Sequence, residues 1–141
     1  MRAEVWEPID GICGPCGQIS FSYVPAHMAT VLMTFIGFAG GPPRGLTLKF
    51  KRVIVLCGEE ECPGGFVPMP KPLPKLERGD HPTFTFPLLK FVDSEPLKQY
   101  DLIFHHKDQP LAHFCLISFH NLVQVIASAD VEAAWSPLTG Q

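Results

Sequence analysis

Fifteen of the 141 residues are proline, spread from Pro8 to Pro137, about twice the usual ~5%. Each proline removes a backbone donor and blocks a helix interior, so a bundle of long helices is excluded. What remains for burying apolar side chains is a set of short strands, with prolines at turns, edges and bulges. Apolar residues make up 46% of the chain and charged residues 18%, enough apolar surface to offset chain entropy. The length suits one domain over residues 1–141. A formal charge of −3 with eleven lysines plus arginines leaves no basic footprint for nucleic acid.

No Asp, Glu, Lys or Arg occurs from residue 11 to residue 43, so much of this stretch must be covered. Its most apolar part, Met28 to Ala39, falls well short of the ~20 residues that span a bilayer, and no membrane partner is expected. Met1 to Glu7 carries acids and no following apolar run, which argues against a secretory signal. Five cysteines form an odd set that suits a disulfide framework poorly. A cytoplasmic, reducing home is the expectation.

Within the charge-free stretch, residues 19–24 (Ile-Ser-Phe-Ser-Tyr-Val) alternate apolar and small polar types, the period of a half-buried strand. Residues 31–36 are apolar on both faces and read as a strand covered on two sides, by a second layer or by another subunit. Gly37 to Pro43 forces a turn. Leu46, Leu48 and Phe50 then face inward along a third strand, whose phase blurs at residues 52–56 as at a bulge. From Cys57 to Pro82 the chain reads as a long loop stiffened by Pro63, Pro68, Pro70, Pro72 and Pro74. Its Met69–Lys75 part has the composition of a polyproline ligand.

Residues 83–92 read as a further strand, with Pro87 at an edge or bulge. Asp93 or Ser94 caps a short helix with Pro96 in its first turn and Leu97, Tyr100 and Phe104 on one face, ending near His105 and His106. The hairpin is clear: Leu111 to Phe119, a turn at His120-Asn121, and a return through Ala127. A last helical turn is expected through Ala133-Ala134-Trp135, stopped by Pro137. The fold class is sheet-dominated α+β: an antiparallel, meander- or sandwich-like sheet, one or two short helices and a long Pro-rich loop over 57–82.

Two cysteine pairs carry the chemical leads. Cys13-Gly14-Pro15-Cys16 resembles the redox motif of thioredoxins over these four residues. In that family the motif opens a helix that lowers the first thiol's pKa; here Gly17 to Phe21 reads as a strand. With Cys57 and Cys62, the same pair resembles the two knuckles of a zinc ribbon, four thiolates around a structural Zn2+. Residues 13–16 precede the first of the three strands and residues 57–62 follow the third. A simple meander places them at opposite ends of the sheet. Free or incidental thiols are the plainer alternative.

His113 and Cys115 share one face of their strand, where an imidazole can activate a thiol, yet no third group that would orient the histidine is readable. Core packing explains both residues equally well. His105 and His106, beside Asp101 and Asp108, suit a solvated helix end. No phosphate loop, HExxH or GxSxG string is present. The sequence therefore favours a non-catalytic binding protein, of the inhibitor or immunity type, that meets a protein partner or forms a homodimer. Phe66 and Met69 in the Pro-rich loop are its candidate contact residues. A zinc-stabilised domain and a small thiol enzyme built on Cys13/Cys16 are the two alternatives.

Overall fold

A computed structural model describes residues 1–24, 28–35, 41–58, 67–104 and 109–138. The elements are strands β1 (Arg2–Val5), β2 (Cys16–Val24), β3 (Met28–Phe35), β4 (Arg44–Phe50), β5 (Val55–Gly58), β6 (Leu88–Val92), helix α1 (Glu95–Phe104), and strands β7 (Leu111–Ile117), β8 (Leu122–Ser128) and β9 (Glu132–Pro137). They form two antiparallel sheets, one ordered β1-β6-β7-β8-β5 and the other β2-β3-β4-β9. The sheet-dominated antiparallel reading with a short helix thus holds.

The charge-free stretch supplies β2 and β3 of the meander β2-β3-β4. Ile19 pairs with Met33 and Phe21 with Val31, and β4 continues the row with Leu46 and Leu48. Burial alternates strictly along β3, with Ala29, Val31, Met33 and Phe35 inside. The expected two-sided cover therefore lies elsewhere: β3 is half-exposed on its outer face, and Thr30, Leu32 and Thr34 sit there. Ile36 lies outside the described residues. The strands buried on both faces are β7 and β8.

The two sheets pack through aromatic rings. Phe114 of β7 meets Phe50 of β4 with ring centroids 5.3 Å apart, and Trp6, from the β1–β2 connection, lies 4.4 Å from Phe114. One hydrophobic cluster draws on both sheets. The blurred phase after β4 marks the crossing between them. At Arg52 the backbone takes a positive φ of 51°, β4 ends in one sheet and β5 begins in the other. The Arg52 side chain donates to the Gln109 and Phe104 carbonyls, so it supplies cation character at the negative end of α1.

Because β5 and β6 lie at opposite sides of their sheet, the intervening chain must cross three strand spacings, roughly 14 Å. It crosses on the outer face, the one turned away from the second sheet. Gln124 Nε2 donates to the Val67 carbonyl (3.1 Å), and the Cys115 Sγ lies 3.9 Å from the Met69 Sδ. Prolines suit this path, since a segment lying over a sheet face has no ladder partner to supply with N–H donors. Residues 59–66 lie outside the described ones. After the crossing the chain pairs with itself: Lys75 bridges Thr85, Leu76 N–H donates to the Phe84 carbonyl, and Phe86 N–H to the Pro74 carbonyl.

Helix α1 starts where Ser94 caps it, the Leu97 N–H donating to the Ser94 Oγ at 3.2 Å, a bond that satisfies an otherwise orphan donor. The last expected helix is instead strand β9, which pairs with β4 from Lys49↔Glu132 to Arg44↔Pro137. Ala133 and Ala134 favour a helix locally, but only a strand buries Trp135 against Phe35 (5.4 Å, edge-on) and gives β4 its second partner. Among the described residues no helix is long and apolar enough to cross a membrane.

Candidate functional site

Three segments meet at one end of the sandwich. The first is residues 10–16, held by Trp135, whose Nε1–H donates to the Asp10 carbonyl (2.6 Å), and by Arg44, which donates to the Gly11 carbonyl (2.8 Å). Arg44 also lies 4.0 Å over the Trp135 ring, a cation–π pair. Gly11 has φ +98°, and a Cβ there would stand 3.4 Å from the Trp135 Nε1, so the turn needs a glycine. The second is the self-paired 74–86 segment, tied to the first side by Arg78 and Glu7 through two bonds of 3.0 and 2.9 Å. The third is the end of β7 and its turn, where Phe119 N–H donates to the Cys16 carbonyl and Ile117 N–H to the Pro87 carbonyl.

Between them opens a groove of about 390 Å3 lined by Pro15, Cys16, Phe84, Pro87, Ile117 and Phe119, with Thr85 and Ser118 as its polar lining. Phe84 is 40% and Phe119 51% exposed, and their rings meet edge to face at 6.0 Å. Phe84 and Phe86 stand two apart, a spacing that in a regular strand would put both rings on one face; residues 83–87 are instead irregular and sink progressively into the protein, so Phe86 is buried and Phe84 exposed. Cys16 has its thiol pushed up to about 11 by burial, against hydrogen bonds to the Gln18 and Thr34 carbonyls. It stays a neutral thiol near pH 7 and adds an apolar wall rather than a nucleophile.

The cysteines are distributed differently from the four-ligand expectation. Cys13, Cys16 and Cys115 are free thiols, whereas Cys57 is disulfide-bonded. A sulfur in a disulfide offers no thiolate to zinc. Cys16 starts a strand of one sheet and Cys57 sits on an edge strand of the other; Cys62 lies outside the described residues. Among the described residues, no group of three or more His, Cys, Asp and Glu side chains is placed to hold a metal ion. Thiol titration of denatured, unreduced protein should therefore count three groups, rising to five after reduction. Five without reduction, with one zinc per chain, would instead establish the tetrathiolate.

His113 and Cys115 do share a strand face, yet the histidine is engaged elsewhere. Its Nε2–H donates to the Gln124 Oε1 (2.9 Å), because the Gln124 amide nitrogen is already turned to Val67. Its Nδ1 then accepts from the Ser94 hydroxyl (2.7 Å). Ser94, His113 and Gln124 are all buried, and burial lowers the His113 pKa against the opposing effect of the Gln124 bond. The groups that orient the histidine are thus Ser94 and Gln124, and they join α1, β7, β8 and the crossing segment into one polar clamp. Burial raises the Cys115 thiol to about 12, so it behaves as a small apolar core group.

Of the expected contact residues, Met69 is half-buried and packs toward Cys115. Phe66 lies outside the described residues, as do His105, His106 and Asp108. Sequence reasoning missed Phe84 and Phe119. In a strand the Phe-Thr-Phe spacing puts both phenyls on one face, so the string gives no sign that Phe84 is exposed, and only the meeting of three distant segments makes the groove. No protein-family model, curated protein or solved structure matches this chain.

Proposed function

We propose that the protein is a small non-catalytic binding protein that receives apolar side chains of a protein partner in the groove at the end of the sandwich. The observation that carries this reading is the Phe84–Phe119 pair. Two large rings in mutual contact, both open to solvent and set in a concavity with Pro15 and Pro87, are apolar surface that association would bury. Exposed aromatics on a rigid frame are also the residues that dominate binding energies. The groove's only thiol is held neutral by burial, which favours recognition over covalent chemistry. An inhibitor or immunity-type role, masking a partner's apolar segment, fits such a site. A cytoplasmic home belongs to the same proposal on the condition that the Cys57 disulfide survives there, since cytosolic thiol buffers reduce most such bonds.

The test uses N-acetyl-phenylalaninamide and N-acetyl-leucinamide as side-chain probes, followed by amide chemical shifts. Shifts gathered at Thr85, Ile117, Ser118 and Phe119, and lost in Phe119→Ser, are the expected result. Shifts gathered on another surface, or none at high probe concentration, would overturn the reading. Because Phe119 is half-exposed, its replacement leaves the fold in place.

A further inference from the structure

The groove opens where the ladder between β6 and β7 forks. These strands run antiparallel, with Leu88 opposite Leu116 and Leu89 opposite Cys115. One step further along, Ile117 N–H donates to the Pro87 carbonyl at 2.9 Å. Hydrogen-bonded pairs recur at every second residue of an antiparallel ladder, so Thr85 and Phe119 would be the next to exchange bonds. They do not. Phe119 N–H, the donor that would serve the Thr85 carbonyl, turns to the Cys16 carbonyl at 3.1 Å.

On its other side Thr85 stands opposite Lys75 in a lone antiparallel bridge. The two bonds of that bridge belong to neighbours: Leu76 N–H to the Phe84 carbonyl (2.8 Å) and Phe86 N–H to the Pro74 carbonyl (2.9 Å). A pair framed in this way is the non-hydrogen-bonded kind, and its two residues turn their own N–H and C=O groups away from each other. The Thr85 N–H and C=O therefore point away from Lys75, on the side of the fork. Among the described residues neither group has a hydrogen-bond partner. Thr85 is half-buried and lines the groove. A donor and an acceptor on the same side of one residue are what an added strand pairs with.

We infer that the partner enters the groove as an extended polypeptide segment, one residue of which exchanges two hydrogen bonds with Thr85. The N–H of that residue donates to the Thr85 carbonyl, and its own carbonyl accepts from the Thr85 N–H. This rests on the groove being a site for a partner's apolar side chains, and it adds what the partner's main chain does there. In such strand addition the backbone bonds supply affinity and the flanking pockets choose side chains. Phe84 and Phe119 are the choosing surface here. None of the residues that line the groove is charged, so a charged side chain on the entering segment would lose its water without gaining a counter-charge. The segment it fits is therefore uncharged and apolar at the fork.

The probe is acetyl-Val-Phe-Val-amide, added to the full chain and followed by amide chemical shifts and hydrogen exchange. Three analogues replace the N–H of each residue in turn by an ester oxygen, which deletes one donor and keeps every side chain. The tripeptide should shift groove amides and slow exchange of the Thr85 amide hydrogen by about tenfold or more. One of the three esters should bind about five- to a hundredfold more weakly than the parent, since it leaves the Thr85 carbonyl without a donor. Shifts at the groove with Thr85 exchange unchanged, and with all three esters binding like the parent, would overturn the strand pairing and leave the apolar site standing. Single-residue amides that bind the groove where the tripeptide does not would overturn it too. Failure of every probe would remove both readings together.

Discussion

Phe114→Ala should destabilise the fold by about 3–5 kcal/mol, a large share of the ~5–15 kcal/mol that holds a domain of this kind together. Phe114 is fully buried, and its ring touches two others that come from different parts of the chain, Phe50 at 5.3 Å and Trp6 at 4.4 Å. Deleting it removes its own transfer energy and leaves a void that β-sheet backbones on both sides cannot collapse into. Urea denaturation reads this as a lower midpoint at an unchanged slope. Leu102→Ala is the matched control, since Leu102 is 87% exposed and its truncation should fall within about 0.5 kcal/mol. A Phe114→Ala loss as small as that of the control would mean that the sheets are not joined through these rings.

The second large effect belongs to the clamp around His113. Gln124→Leu keeps the volume but leaves the His113 Nε2–H and the Val67 carbonyl without partners, and each orphaned buried group costs about 1–3 kcal/mol. The clamp also makes stability depend on pH. His113 is neutral in the folded chain because burial lowers its pKa below the ordinary 6.5, so the unfolded chain binds the extra proton first. Stability should be flat above pH 6.5 as far as this group is concerned and fall as pH drops below it. The loss is complete once pH passes below the folded-state pKa. His113→Phe should lower overall stability and remove this slope. An unchanged slope between pH 5 and 7, on the order of what the parent shows, would place the proton elsewhere.

Much of the strand content was legible because it rests on local periodicity. The β2 alternation and the β7–β8 hairpin are written in side-chain period and turn chemistry, and both stand in the structure. The helix cap was legible as Asp93 or Ser94, and the structure gives the orphan N–H to the Ser94 hydroxyl. Strand β9 was not, because Ala133 and Ala134 carry a helix preference that only the open side of β4 overrules. Strand β1 was missed as well, since Arg2 and Glu4 hide its pairing with β6 behind a polar pattern. The crossing at Arg52 left a trace, the loss of phase after Phe50, but nothing in the residues says that the chain changes sheets there. The candidate groove was least legible of all. It exists only where residues 15–16, 84–87 and 117–119 converge, and convergence is a property of topology.

The order in which strands enter the two sheets also governs how the protein comes into being. Strand β1 waits for β6, pairing Arg2 with Val92, and β4 waits for β9, pairing Leu46 with Trp135. Neither sheet can be completed from a contiguous half of the chain. The closures are long-range, which slows folding relative to helical proteins of the same size. As the chain leaves the ribosome, β2-β3-β4 follows β1 as a charge-poor ribbon, and the strand that pairs with its β4 edge arrives last. The growing polypeptide is therefore most exposed to misassembly in the middle of its synthesis. Strands β2 and β3, nine and eight residues long, hold no proline and no charge, so during that interval the prolines that flank the ribbon are what interrupt its extended runs.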